Sequence, residues 1–328
     1  MLQTLNKQLE KIMPLITPVS VIVGVLLSVY IKDFSYLIPW IFAFMTFAGS
    51  LNSNFKSLST VVRHPLPIFA AMILLHILMP IWAWGVGHLT FQDDIFTITG
   101  IVLGMAIPTG VTSFIWVSIY KGNIPLTLSI ILIDTMLSPI IVPYCLSLLI
   151  GEKIEMDMLG IMQGLVGMIV LPSILGMLLN QFLKRSVTKQ LSTTLAPFSK
   201  ICIGIVVMLN GAVIAPYLKN INLKLMGIIL VVFFIAATGY VFSFFIGKLI
   251  RSDKDTIVSL TFSGGMRNIS AGAVIAVTYF PPAVAVPVVV GMLFQQVLAS
   301  FAGSVLARYY SKKTLYVKLD GVNKNEGI

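Results

Sequence analysis

The chain has 328 residues, 57% of them hydrophobic and only 10% charged, with a net charge of +10. A soluble domain carries about 25% charged residues, so the composition excludes one and reads as a polytopic, all-α protein of the lipid bilayer. Nucleic acid is excluded as a partner, because the basic residues lie in short loops and the C-terminal tail. Cys145 and Cys202 both fall in apolar stretches and imply no disulfide framework.

From the N-terminus, Met1 to Met13 reads as a polar, weakly amphipathic helix at the membrane interface, with no cleavable signal peptide. A bilayer span needs about 20 apolar residues. Ten such spans follow: Pro14–Ile31, Tyr36–Leu51, Leu66–Gly87, Ile95–Tyr120, Pro125–Ile150, Met158–Phe182, Ile201–Leu218, Leu225–Leu249, Thr256–Phe280 and Ala283–Tyr309. The second is short, and the fourth and ninth are interrupted. Loop charge sets the orientation. Lys32, Lys153, Lys219 and Lys224 lie on one side of the membrane. The other side takes every remaining Lys and Arg except Arg267, among them Lys56, Arg63, Lys184, Arg185, Arg251 and Lys312. Both termini are therefore expected in the cytoplasm and the chain in the cell membrane.

Five spans per half is an odd number, so a second half built like the first enters the membrane upside down. The expected organisation is a first inverted repeat over 1–155, a second over 156–310 and a cytoplasmic tail over 311–328. Span four is broken around Ile107-Pro-Thr-Gly-Val-Thr-Ser113 and leads into a span with Pro139 and Pro143. Span nine is broken at Gly264-Gly265 and leads through Pro281-Pro282 into a span with Pro287. Interrupted spans at matching positions in two halves point to a transporter's binding site.

Ser263-Gly-Gly-Met-Arg-Asn268 is the least membrane-like stretch of the chain. Each glycine loosens a helix by about 1 kcal/mol, and a charge at bilayer depth costs about 3 kcal/mol or more. Such a feature persists only where it faces protein or water. Of the acidic residues, only Asp134 lies deep, about ten residues or roughly 15 Å into span five. Arg267 is the matching buried base. Either alone is an uncompensated charge, so the two invite pairing. The readings are a structural ion pair or a neutral, protonated Asp134; an Arg267 that attracts a substrate's anionic group or stands in for a bound cation; and an Asp134 that carries a proton. Thr109, Thr112 and Ser113 offer hydroxyls at the first break, against the ordinary alternative of bonding to their own backbone. Thr127 shares a helical face with Asp134. His76, before Met79-Pro80, reads chiefly as a structural hydrogen-bonder. Asn210, Gln295 and Gln296 are candidates for lining a cavity. No metal-ligand spacing, P-loop, dinucleotide fingerprint or hydrolase elbow occurs, so the chain does not read as an enzyme.

Pro108-Thr-Gly-Val-Thr-Ser113, Tyr120-Lys-Gly-Asn123 and Leu137-Ser-Pro139 resemble helices four and five of the bile acid:sodium symporter family. Gly265-Met-Arg-Asn268 resembles its ninth-helix motif. The resemblance implies ten helices in two inverted five-helix repeats, with discontinuous helices four and nine crossing in a core domain beside a panel domain. It further implies sodium-coupled uptake of a small organic anion, with no cofactor besides Na+. Ser113, Thr127 and Asn268 match the family pattern. Ser263 stands in place of a glutamate, Arg267 of a glutamine, Phe114 of an asparagine and Ile131 of a threonine. Substrate contacts are thus expected from Thr109, Thr112, Asn210, Arg267 and Asn268. Ion coupling is expected from Ser113, Thr127, Asp134, Ser263, Met266 and Gln295, with Ser113, Thr127 and Ser263 the candidate Na+ ligands. One carboxylate lost and one guanidinium gained shift the site by two positive charges, the charge that two sodium ions bring. One-sodium, proton-coupled or uncoupled transport then stands beside classical two-sodium coupling. An auxin-efflux-like organic-acid carrier and a non-transporting membrane sensor are the rival functions.

Overall fold

The computed structural model describes residues 2–51, 53, 65–151, 154, 156–219 and 222–325, and these are helical nearly throughout. Lys56, Arg63 and Lys153, counted above for orientation, lie outside the described residues. The elements are α1 (Leu2–Leu26), α2 (Ile38–Ser50), α3 (Pro65–Phe91), α4 (Ile95–Ala106), α5 (Ser113–Ile119), α6 (Ile124–Ile150), α7 (Met158–Phe182), α8 (Arg185–Val213), α9 (Leu223–Leu249), α10 (Lys254–Gly265), α11 (Ile269–Tyr279) and α12 (Pro282–Asn325). Short helical pieces, Ser28–Ile31 and Lys32–Leu37, join α1 to α2, and Ala215–Lys219 follows α8.

Among the described residues, six helices are long and apolar enough to cross a membrane: α3, α6, α7, α8, α9 and the Pro282–Ser311 part of α12. Leu15–Leu26 and Ser28–Ser50, bent by 84° at Leu27, make up to a seventh. The expected fourth and ninth spans are each two helices, α4 with α5 and α10 with α11, and neither half reaches spanning length. The expected seventh span begins early, at Arg185, because the polar run Arg185–Lys200 continues as helix although it carries no hydrophobic signal.

Helix starts follow a common rule. The first N–H groups of a helix have no partner in their own turn, and an Asp or Asn oxygen supplies one. Asp94 takes Thr97 N–H, Asn123 takes Leu126 N–H, Asp157 takes Gly160 N–H and Asn222 takes Leu225 N–H; Asp253 takes Thr256 N–H and Asn268 takes Ala271 N–H. Two helices widen into π-turns, Leu74–Leu78 before Pro80 and Val166–Val170 before Pro172. A proline cannot donate to the carbonyl four residues back and its ring crowds that oxygen, so the turn beneath it opens.

α1 packs along α8, and α2 lies against α7 and α8. The remaining long contacts run between α3 and α4, α4 and α12, α9 and α10, and α11 and α12. Apolar side chains such as Ile98, Val102, Val232, Ile235, Val274 and Val288 fill the space between these helices. At the centre of this second group lie the two breaks.

Candidate functional site

The breaks cross. Ile107 adopts φ −60°, ψ 151°, the extended conformation forced on the residue before Pro108. Met266 is likewise extended at φ −101°, ψ 135°. The two segments meet as an isolated antiparallel bridge between Thr109 and Arg267. Asn268 N–H donates to the Pro108 carbonyl at 2.8 Å, and Gly110 N–H donates to the Met266 carbonyl at 3.1 Å. Main-chain groups released from one helix are thereby satisfied by the other. The Thr109 hydroxyl adds bonds to the carbonyls of Ser263 and Met266. Gly110 permits the approach, since a Cβ there would stand 2.9 Å from the Arg267 carbonyl oxygen.

The second break falls later than the glycine pair suggested. α10 runs through Gly264 and ends at Gly265, with Met266 the extended residue that follows it. The glycines serve packing instead: a Cβ on Gly264 would meet Ser243 Oγ at 2.2 Å, and one on Gly265 would meet the Tyr240 ring at 2.3 Å. They let α10 lie close against α9.

Asp134 is fully buried and is aimed at the crossing. Its Oδ2 accepts Thr109 N–H at 2.6 Å, and its Oδ1 lies 2.7 Å from His76 Nε2, on the widened turn of α3. Arg267 is 2% exposed, and neither Nε nor either Nη has a hydrogen-bond partner. Its charge acts on Asp134 and on Tyr240, whose buried hydroxyl also lacks a partner. The direct Asp134–Arg267 pair that the sequence invites is thus replaced. The carboxylate's contacts go to His76 and Thr109, and the guanidinium stays in electrostatic range.

The other candidates divide. The hydroxyls of Ser113 and Ser263 are buried and unpartnered. Met266 contributes its carbonyl, Asn268 caps α11, and Gln295 Oε1 accepts the Arg267 backbone N–H at 3.1 Å. Thr127 is buried, but its hydroxyl is used by the Asn123 carbonyl of its own helix. Thr112 is half-buried at the start of α5 without capping it. Asn210 lies near the end of α8 rather than at the crossing, with both amide atoms buried and unpaired. Gln296 turns outward to accept the Trp116 indole N–H. His76, read as a structural hydrogen-bonder, meets Asp134, a partner that the sequence reading did not name. Its one signal was Pro80, four residues on, which opens the turn that carries it.

The pattern of the sodium bile acid symporter family matches residues 39–221. The Bacillus subtilis protein YbaS is 56% identical over 303 residues, covering 92% of this chain and 99% of that relative. The sodium-dependent transporter YocS of the same organism is 26% identical over 291 residues, 86% of this chain and 87% of its own length. The Arabidopsis thaliana chloroplastic probable sodium/metabolite cotransporter BASS1 is 26% identical over 250 residues, 76% of this chain and 61% of the relative. Half the chain or more follows one family pattern and nearly all of it aligns with a close relative. The chain belongs to the sodium bile acid symporter family and is a multi-pass membrane transporter rather than an enzyme.

Proposed function

We propose that this transporter moves a small organic anion by alternating access between two inverted five-helix halves, residues 1–155 and 156–310, and that Arg267 takes the place of a bound cation at its centre. The tail would follow from 311, with both termini in the cytoplasm and the chain in the cell membrane. α1, α2, α7 and α8 would form the panel domain and the other helices the core. One observation carries the reading: two helices give up their main-chain bonds side by side at Thr109 and Arg267, beside a buried guanidinium and two buried hydroxyls, of Ser113 and Ser263, that have no partner. Broken backbone and unmatched polar groups are tolerated at membrane depth only where they face protein or water, and a carrier's solute path is such a place.

Arg267 is 2% exposed, deep among helices, which supports a tethered cation over a direct substrate contact. Sodium, as a transported co-substrate, would find open oxygens at Ser113 and Ser263, while the hydroxyls of Thr109 and Thr127 are already engaged. Two neutral hydroxyls beside a fixed positive charge do not suit two sodium ions. Coupling then uses at most one sodium per cycle. Thr109, Thr112 and Asn268 would line the substrate path, with Asn210 facing it from the panel side.

The test is uptake of radiolabelled organic anions into proteoliposomes with and without a sodium gradient. Uptake that survives without sodium, or needs a single ion, is expected. A strict requirement for two sodium ions per cycle refutes the tethered-cation role, as does an Arg267→Gln variant indistinguishable from wild type. No flux of any anion under any gradient refutes transport.

A further inference from the structure

We infer that His76 and Asp134 form a one-proton binding site, and that the proton bound there is the coupling ion of this transporter. The coupling half of this inference rests on the transport reading above. The binding half does not.

Nε2 of His76 and Oδ1 of Asp134 are 2.7 Å apart, with the His76 side chain 6% exposed and that of Asp134 wholly buried. Two lone pairs cannot face each other at that distance, so a proton lies between them. The other ring nitrogen, Nδ1, is buried and has no partner. With the shared proton on Nε2, Nδ1 is an acceptor held inside the protein. A proton arriving at Nδ1 converts the ring to imidazolium, whose new charge faces the carboxylate across the same contact. No other bond has to form or break.

The surroundings fix the charge balance. α6 offers Asp134, α9 offers Tyr240 and the second break offers Arg267, while α4 carries no titratable group. Lys248 sits at the end of α9 among the rings of Phe244, Tyr309 and Tyr310. Lys254 and Asp255 lie at the start of α10, about ten residues or roughly 15 Å from Gly264, where α10 meets Leu74 of the widened turn. With a neutral ring, Asp134 and Arg267 cancel. With the proton bound, the cluster carries one positive charge, which one monovalent anion in the same core would neutralise. The substrate class is then a monoanion carried with one proton.

The site is also wired to the moving part. The second oxygen of Asp134 holds Thr109 N–H, and Thr109 is the residue that bridges Arg267. When the ring is charged, the carboxylate is drawn toward His76 and its grip on Thr109 weakens. Proton occupancy would thereby bias the crossing of the two breaks.

The experiment uses the full chain in lipid nanodiscs with nitrogen-15 labelled histidine. Only three histidines occur, at 64, 76 and 88, and His76→Gln identifies the signal. The expected result, across a pH series, is that acidification converts the His76 ring from the neutral to the doubly protonated pattern. Asp134→Asn should abolish that conversion. Should Asp134→Asn alone not fold, Asp134→Asn with Arg267→Gln keeps the cluster neutral and serves instead. A His76 ring fixed in one protonation state across the range overturns the site. Hydrogen exchange at residues 107–113 and 266–268 should depend on pH in wild type and not in His76→Gln, and equal protection at both ends of the range overturns the link to the crossing. In proteoliposomes a pH gradient without sodium should drive accumulation from a panel of radiolabelled monocarboxylates, falling to the level of empty vesicles in His76→Gln. Accumulation driven by sodium alone overturns proton coupling. Silence under both gradients, with the His76 transition intact, counts against the transport reading instead.

Discussion

Replacing Gly265 by alanine asks whether the glycine pair loosens the helix or lets two helices touch. A Cβ at this position would stand 2.3 Å from Tyr240 Cδ1 and 2.5 Å from Cε1 and Cγ, where ordinary contact begins at 3.4 Å. α9 and α10 must therefore part by about 1 Å or the ring must leave its slot. Tyr240 is 5% exposed and lies edge-on to Phe262 at 6.4 Å between ring centres, so it has no free volume to enter. Overpacking of this kind costs about 1–3 kcal/mol, and alanine returns about 1 kcal/mol of helix propensity. The net expectation is a loss of up to about 2 kcal/mol. Gly85 supplies the control. It lies in α3 with nothing within 4 Å of its would-be Cβ, and Gly85→Ala should stabilise by about 0.4–1 kcal/mol. Reversible unfolding in mixed micelles, followed by tryptophan fluorescence, measures both. A Gly265→Ala protein more stable than wild type, as Gly85→Ala should be, would refute the packing role and return the glycines to the part of helix breakers.

Three further substitutions test the charge arrangement. Asp134→Asn leaves the Arg267 guanidinium without its counter-charge and should destabilise by about 3–5 kcal/mol; adding Arg267→Gln should recover most of that loss in a double-mutant cycle, and strict additivity would show that the two charges do not sense each other. At the start of α4, burial alone would raise the Asp94 carboxyl, but Lys224 Nζ at 2.8 Å and the Thr97 N–H outweigh it and hold Asp94 below its ordinary value of 3.8. A carboxylate held low adds stability that is present above its unfolded value and lost as pH falls through its folded one. Wild type should therefore lose stability below about pH 4 by a fraction of about 1 kcal/mol, given the exposure of Lys224. Lys224→Gln should flatten that limb, and an unchanged acid limb would remove the pair from the account.

Much of this arrangement is written in local sequence. Pro108 forces Ile107 out of helical geometry, so the first break falls within the stretch that the sequence marks. Spans six and eight need little more than their apolar run, and α7 starts and ends where that run does. The readings that shifted are those that depend on neighbours. Gly264 and Gly265 carry the local signature of a break, but Tyr240 and Ser243 of another helix decide that they are contact points. Asp134 and Arg267 were the obvious buried pair by charge. His76, 58 residues before Asp134, reaches the carboxylate instead, because Pro80 widens a turn that no periodicity reports. The polar helix Arg185–Lys200 was invisible for the opposite reason, having no apolar stripe to announce it.

Two of the bonds that hold the crossing together, Asn268 N–H to Pro108 and Gly110 N–H to Met266, belong to the main chain and not to any side chain. A joint fastened in this way keeps its shape while the groups projecting from it are exchanged. A carboxylate can give way to serine and a glutamine to arginine without the scaffold being rebuilt. On the proposed transport cycle, the fuel would be modular: the same hinge would serve a different ion once a handful of side chains around it are swapped.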